Sequence, residues 1–125
     1  MPAARSVAVL VVDDQQTMRG LARQVLKQLG IIDVALAASG EAALEQMMSR
    51  RFDVVISDLN MPGLSGVDLA KRIKSHPVLR STPVFLATSN AYRDQAGEAV
   101  DRFLAKPFLL PDLREALETH LGKLT

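Results

Sequence analysis

The chain contains no cysteine, which excludes disulfides and thiolate metal sites. It has no apolar run near the roughly 20 residues needed to span a bilayer. Its start, Met1-Pro2-Ala3-Ala4-Arg5-Ser6, lacks the pattern of a signal peptide, and the short apolar run that follows ends in two aspartates. Charge of one sign is also missing: 15 Lys and Arg stand against 14 Asp and Glu, for a formal charge of +1. Nucleic-acid binding needs a concentrated basic patch, so this balance argues against it. No repeat, low-complexity stretch or long linker interrupts the chain. What is there is 125 residues, 48% of them hydrophobic, the size and content of one packed domain over residues 1–125. A cytoplasmic protein without membrane insertion is expected.

Two hydrophobic periods alternate along the chain. Val7-Val12 is a continuous apolar run, as in a strand buried on both faces. Met18, Leu21, Ala22, Val25, Leu26 and Leu29 follow at helical spacing, and Gly30 closes that helix. Val34-Ala37 predicts a second strand, and Ser39 precedes a helix carrying Ala43, Leu44, Met47 and Met48. Asp53-Ser57 predicts the third strand. Ser65 to Asp68 has capping-box spacing and opens a helix that stops before Pro77. Pro83-Ala87 and Arg102-Ala105 predict the last two strands, separated by a less regular segment, Asn90 to Val100, with a short helix. Pro111 suits the first turn of a final helix. Five strands alternating with five helices predict a parallel sheet covered on both faces.

In such a sheet ligands bind beyond the carboxyl ends of the strands. Four polar signatures fall there: Asp13-Asp14, Asp58, Thr88-Ser89 and Lys106-Pro107. Singly, each has a simpler reading as a helix cap or a turn. Jointly, each at the end of a different strand, they describe a site. Three close carboxylates repel, by about 4 kcal/mol per pair at 4 Å and an effective dielectric near 20. Lys106 offsets one charge, and a divalent cation with oxygen ligands offsets the rest; Mg²⁺ suits few carboxylates plus water. Asp13, Asp14 and Asp58 are the candidate metal ligands. A carboxylate beside a metal can also act as a nucleophile toward phosphorus, and Asp58 is the candidate. The Thr88 hydroxyl and the Lys106 ammonium would then hold phosphoryl oxygens.

These motifs resemble the receiver domain of two-component response regulators, the CheY-like family. Val11-Val12-Asp13-Asp14-Gln15-Gln16-Thr17-Met18-Arg19 is similar to the family's acidic motif, and Ser57-Asp58-Leu59-Asn60-Met61-Pro62-Gly63-Leu64-Ser65-Gly66 to its phosphorylation motif. Leu86-Ala87-Thr88-Ser89 and Leu104-Ala105-Lys106-Pro107-Phe108 complete the set. The resemblance implies a flavodoxin-like doubly wound sheet of order 2-1-3-4-5. It implies that Asp58 accepts phosphate from a sensor histidine kinase or a histidine phosphotransfer protein. Asp14 would bind Mg²⁺ directly, Asp13 mainly through water, and Asn60 through its backbone carbonyl. Thr88 and Phe103 would be switch residues and Pro107 a cis-proline. The switched surface, made by the fourth helix, fifth strand and fifth helix, would meet a downstream protein partner. The protein would be a monomer or weak dimer, and no enzyme beyond its own phosphoryl transfer and autodephosphorylation.

The chain departs from the common pattern between Thr88 and Lys106, which lie eighteen positions apart, a few fewer than usual. This predicts a short or irregular fourth helix. The alternatives from other classes are a Mg-dependent aspartyl-phosphate hydrolase and a phosphorylation-independent interaction module. The hydrolase would need an acid–base carboxylate shortly after Asp58, where Asn60 stands. A flavin carrier would need a phosphate loop where Asp13-Asp14 would repel phosphate. Arg19, Arg23 and Lys27, and likewise Arg50-Arg51, read as solvated helix faces. Met18, near the acidic motif, is read chiefly as packing, with a partner surface as the alternative.

Overall fold

A computed structural model describes residues 3–88, 99–106 and 108–125. Strands β1 (Ala8–Val12), β2 (Asp33–Ala37), β3 (Val54–Asp58), β4 (Val84–Thr88) and β5 (Arg102–Ala105) form one sheet of order β2-β1-β3-β4-β5. All four pairings are parallel. Among the described residues there are four α-helices: α1 (Gln16–Gln28), α2 (Gly40–Ser49), α3 (Gly66–Ser75) and α4 (Leu110–Leu121). The expected helix within 90–100 lies almost wholly outside the described residues. So do Ser89 and Pro107.

The continuous apolar runs follow from burial on both faces. Leu10, Val12, Val55 and Leu86 point into one core layer with Met47 of α2 and Leu69 and Ile73 of α3. Val9, Val11, Ile56 and Phe85 point into the other with Leu26 of α1 and Leu113 and Leu117 of α4. Each fully buried side chain of this size contributes about 1.5–3 kcal/mol.

The helix ends follow local chemistry. Leu29 caps α1, and Gly30 follows at φ 88°. The amides of Gly30 and Ile31 close back on the carbonyls of Lys27 and Leu26, a Schellman ending that a Cβ would strain. The hydroxyls of Ser39 and Ser65 accept the amides of Ala42 and Asp68, each at 3.1 Å, and start α2 and α3. Pro111 sits in the first turn of α4.

Two boundaries differ from expectation in a way that matters. Asp58 and Thr88 are the last residues of β3 and β4, not the residues beyond them. The ladder runs further than the apolar pattern because backbone bonds continue it. Leu59 N–H donates to the Ala87 carbonyl and Lys106 N–H to the Thr88 carbonyl, each at 3.1 Å. Both side chains are therefore set on rigid sheet.

Candidate functional site

The carboxyl edge of the sheet is built around Asp13. Its N–H donates to the Ala37 carbonyl at 3.0 Å. Its Oδ1 accepts the Gln15 amide at 2.9 Å, an Asx turn that aims the carboxylate without any helix. Its carbonyl accepts the Arg19 guanidinium at 2.6 Å. Neither aspartate caps α1: the cap residue is Gln15, with no side-chain capping bond. The simpler capping reading of Asp13-Asp14 therefore fails, which leaves both carboxylates to the edge. Asp13 is buried and Asp14 exposed.

The loop after β3 is held by close packing. Gly66 N–H donates to the Leu59 carbonyl at 2.9 Å. A Cβ on Gly66 would lie 2.2 Å from the Asp58 carbonyl oxygen and 3.0 Å from Leu86 Cδ2. Only glycine lets α3 begin directly against the backbone of Asp58. Asn60 is exposed in this loop and faces the crevice.

Lys106 ties the strands together. Its Nζ lies 2.8 Å from Asp58 Oδ1 and 3.1 Å from Asp13 Oδ2. Burial opposes its charge, but the bonds to Asp58 and Asp13 outweigh burial and hold its pKa above the ordinary lysine value. The ammonium is thus a fixed positive charge at neutral pH. Buried Thr88 lies beside it at the end of β4.

A crevice of about 570 Å³ opens over these groups. Asp14, Asp58, Asn60, Thr88 and Lys106 line it, and Met18 and Leu21 form its apolar side. One oxygen each from Asp13, Asp14 and Asp58 lies within 4.8 Å of the others. Three hard oxygen donors, with one ammonium against three negative charges, fit a hard divalent cation. The cluster can hold a metal.

The structure thus gathers Asp13, Asp14, Asp58, Asn60, Thr88 and Lys106 at one place. Phe103 lies one strand away, paired with Leu86 in register, half-buried against the α2–α3 core layer. Pro107 is outside the described residues. Three residues come to the site unannounced. Arg19, expected on a solvated face, bonds the Asp13 carbonyl. Leu21, expected inside, is 50% exposed and borders the crevice. Gly66, noted only beside a helix start, fixes the Asp58 loop; its place at the end of the phosphorylation motif was the one available signal.

The family model described as "Response regulator receiver domain" matches residues 9–118. The chain is 38% identical over 114 residues to the chemotaxis protein CheY of Pseudomonas aeruginosa, covering 88% of this chain and 92% of that one. Among solved structures, chemotaxis protein CheY4 of Vibrio cholerae matches with a TM-score of 0.83 and 33% identity, covering 92% of this chain and 98% of that one. The response regulator TrrA of Thermotoga maritima, in complex with Mg²⁺ and BeF, matches with a TM-score of 0.83 and 32% identity, covering 92% and 99%. No helix among the described residues is long and apolar enough to cross a membrane. With motifs, strand order and relatives in agreement, the chain belongs to the response regulator receiver domain family, signalling modules of two-component systems.

Proposed function

We propose that this receiver is a magnesium-dependent phosphoacceptor and that Asp58 carries the phosphoryl group. The observation that carries this reading is the Lys106 ammonium held between Asp58 and Asp13, at 2.8 and 3.1 Å, beside a third carboxylate. Asp13, Asp14 and Asp58, with the Asn60 backbone carbonyl, would hold Mg²⁺. The ion supplies the positive charge that lets a phosphoryl group enter a carboxylate cluster.

The protein's own residues do the rest. A carboxylate oxygen of Asp58 attacks the phosphorus of a phosphohistidine on a sensor kinase or phosphotransfer protein. The new P–O bond forms as the P–N bond breaks, and the electron pair returns to the imidazole. Lys106 then passes its hydrogen bond from the carboxylate to a phosphoryl oxygen, and the Thr88 hydroxyl donates to another. Lys106 is already held over Asp58, so little reorganisation is needed there. Movement of Thr88 toward the phosphoryl group frees space for Phe103 to repack, which alters the surface around β5 for a protein target. Asn60 gives the site no acid–base carboxylate, so water attack on the acyl phosphate is slow and the chain is a signal carrier rather than a turnover catalyst.

Incubation with Mg²⁺ and labelled acetyl phosphate, or with a kinase phosphohistidine, should place one acid-stable, base-labile label per chain. Asp58→Asn should remove it. Stoichiometric labelling of that variant would refute the assignment.

A further inference from the structure

At the opposite end of the sheet, the ends of α2 and α3 and the segments that follow them border a trough. Two cavities of about 510 and 610 Å³ lie there. Met48 and Leu79 border both, so the two are halves of one surface. Residues 49–52 and 78–82 around it lead into the amino ends of β3 and β4. It is therefore remote from Asp58, at the carboxyl end of β3.

The floor is apolar: Leu79 is buried and Leu44 half-buried. On the ridge, Met48 is 62% and Val78 74% exposed, two large apolar side chains in water with no internal role. The rim carries one sign of charge. Among the described residues, the charged groups lining the two cavities are Arg50, Arg51, Lys71 and Arg72, with no carboxylate. This one-sidedness stands out in a chain whose charges nearly cancel. Arg50 is engaged, paired with Asp33 at 2.8 Å and stacked 4.5 Å over Phe52. Arg51, Lys71 and Arg72 are exposed and form no ion pair with any described residue.

We propose that this trough docks an acidic amphipathic helix of another protein, with its apolar stripe on Met48, Leu44 and Leu79 and its carboxylates facing Arg51, Lys71 and Arg72. A groove between two helices is shaped to take a third. Apolar contact supplies the affinity, and the cationic rim supplies orientation and rate of encounter. Nucleic acid would use the cations but not the apolar floor. A bilayer is flat and would not reach Leu44 and Leu79. The site works without phosphorylation, so it tethers the receiver while the carboxyl edge signals.

The test uses a designed peptide of about 18 residues, five helical turns, with leucines at i, i+3, i+4 and i+7 and glutamates elsewhere. Amide chemical shifts of the whole ¹⁵N-labelled protein are followed during titration. Residues 44–52 and 71–82 should shift, equally in the Asp58→Asn variant. The same peptide with Lys for Glu should cause no shift there. The double variant Lys71→Glu/Arg72→Glu should weaken binding roughly tenfold, about 1.4 kcal/mol. Met48→Glu should weaken it similarly. All three positions are exposed, and unchanged circular dichroism confirms folding. Shifts elsewhere or none at millimolar peptide, or equal binding of the Lys peptide, overturn the proposal. So do anionic phosphatidylglycerol vesicles that move these residues when the peptide does not, and concentration-dependent self-association through them.

Discussion

The Asp58 crevice and the trough at the other end of the sheet handle charge in opposite ways. At the carboxyl end, Lys106 is mostly buried between Asp13 and Asp58, whose side chains are only 7% and 16% exposed. At the amino end, Arg51, Lys71 and Arg72 stand in water around an apolar trough. Burying charge is costly unless it is paired, so the carboxyl end needs backbone precision: an Asx turn, two strand ends and a glycine contact. The three exposed cations around the trough need none of this, although the same end of the sheet also carries the Lys74–Asp101 pair at 2.7 Å. The proposed phosphoacceptor site and the proposed docking trough thus differ less in residue types than in how firmly the backbone holds them.

The sharpest test of that difference is Gly66→Ala. A Cβ would meet the Asp58 carbonyl oxygen at 2.2 Å, against backbone that belongs to β3 and cannot yield cheaply. We expect a loss of about 3 kcal/mol or more, read as a lowered urea midpoint, together with slowed labelling of Asp58. The contrasting change is Gly20→Ala in α1, where a Cβ meets nothing within 4 Å. It should stabilise by about 0.5–1 kcal/mol through helix propensity. Equal effects at the two glycines would dissolve the contrast between a crowded edge and a tolerant surface.

Next in size is the effect of magnesium. The three carboxylates carry more negative charge than Lys106 offsets, so a ligand cation should stabilise the folded state. At a hundred times its Kd the gain is about 2.7 kcal/mol, seen as a rise in Tm with MgCl₂ beyond that with matched ionic strength. Asp14→Ala should lose most of this gain and, by removing one repelling charge, be no less stable without metal. A wild-type Tm insensitive to Mg²⁺ would mean that the acidic cluster is not a metal site.

Much of this molecule was legible in its sequence. The alternation of apolar runs and helical stripes carried the α/β class, and the strand-end residues carried the edge where the site lies. The strand order came from family resemblance, because alternation alone does not choose among crossovers. What stayed hidden was made by backbone geometry. Asp58 and Thr88 belong to strands through hydrogen bonds that no side-chain pattern encodes. Arg19 looked like a solvent-facing helix residue because its partner is a carbonyl, and carbonyls leave no trace in a sequence. Leu21 fits the apolar stripe of α1 but rotates toward the crevice, since a broad stripe does not say where its edge lies. The amino-end trough stayed unseen because it joins the ends of α2 and α3, which are distant in the chain.

The smallest effect should come from the surface ion pair beside the trough. The hydrogen bonds from Arg50 hold the Asp33 carboxyl below its usual pKa, against slight burial. A depressed folded-state pKa adds stability above the unfolded carboxylate value and loses it as pH falls through the lower folded one. The pair is exposed and screened, so its contribution at neutral pH should be about 0.5 kcal/mol or less. Asp33→Asn should therefore differ slightly from wild type at pH 7, less so in high salt, and not at all below the carboxylate range. Urea midpoints across that range measure it. A difference persisting in acid would mean that Asp33 acts by packing, and that the amino end is more firmly built than its exposed charges suggest.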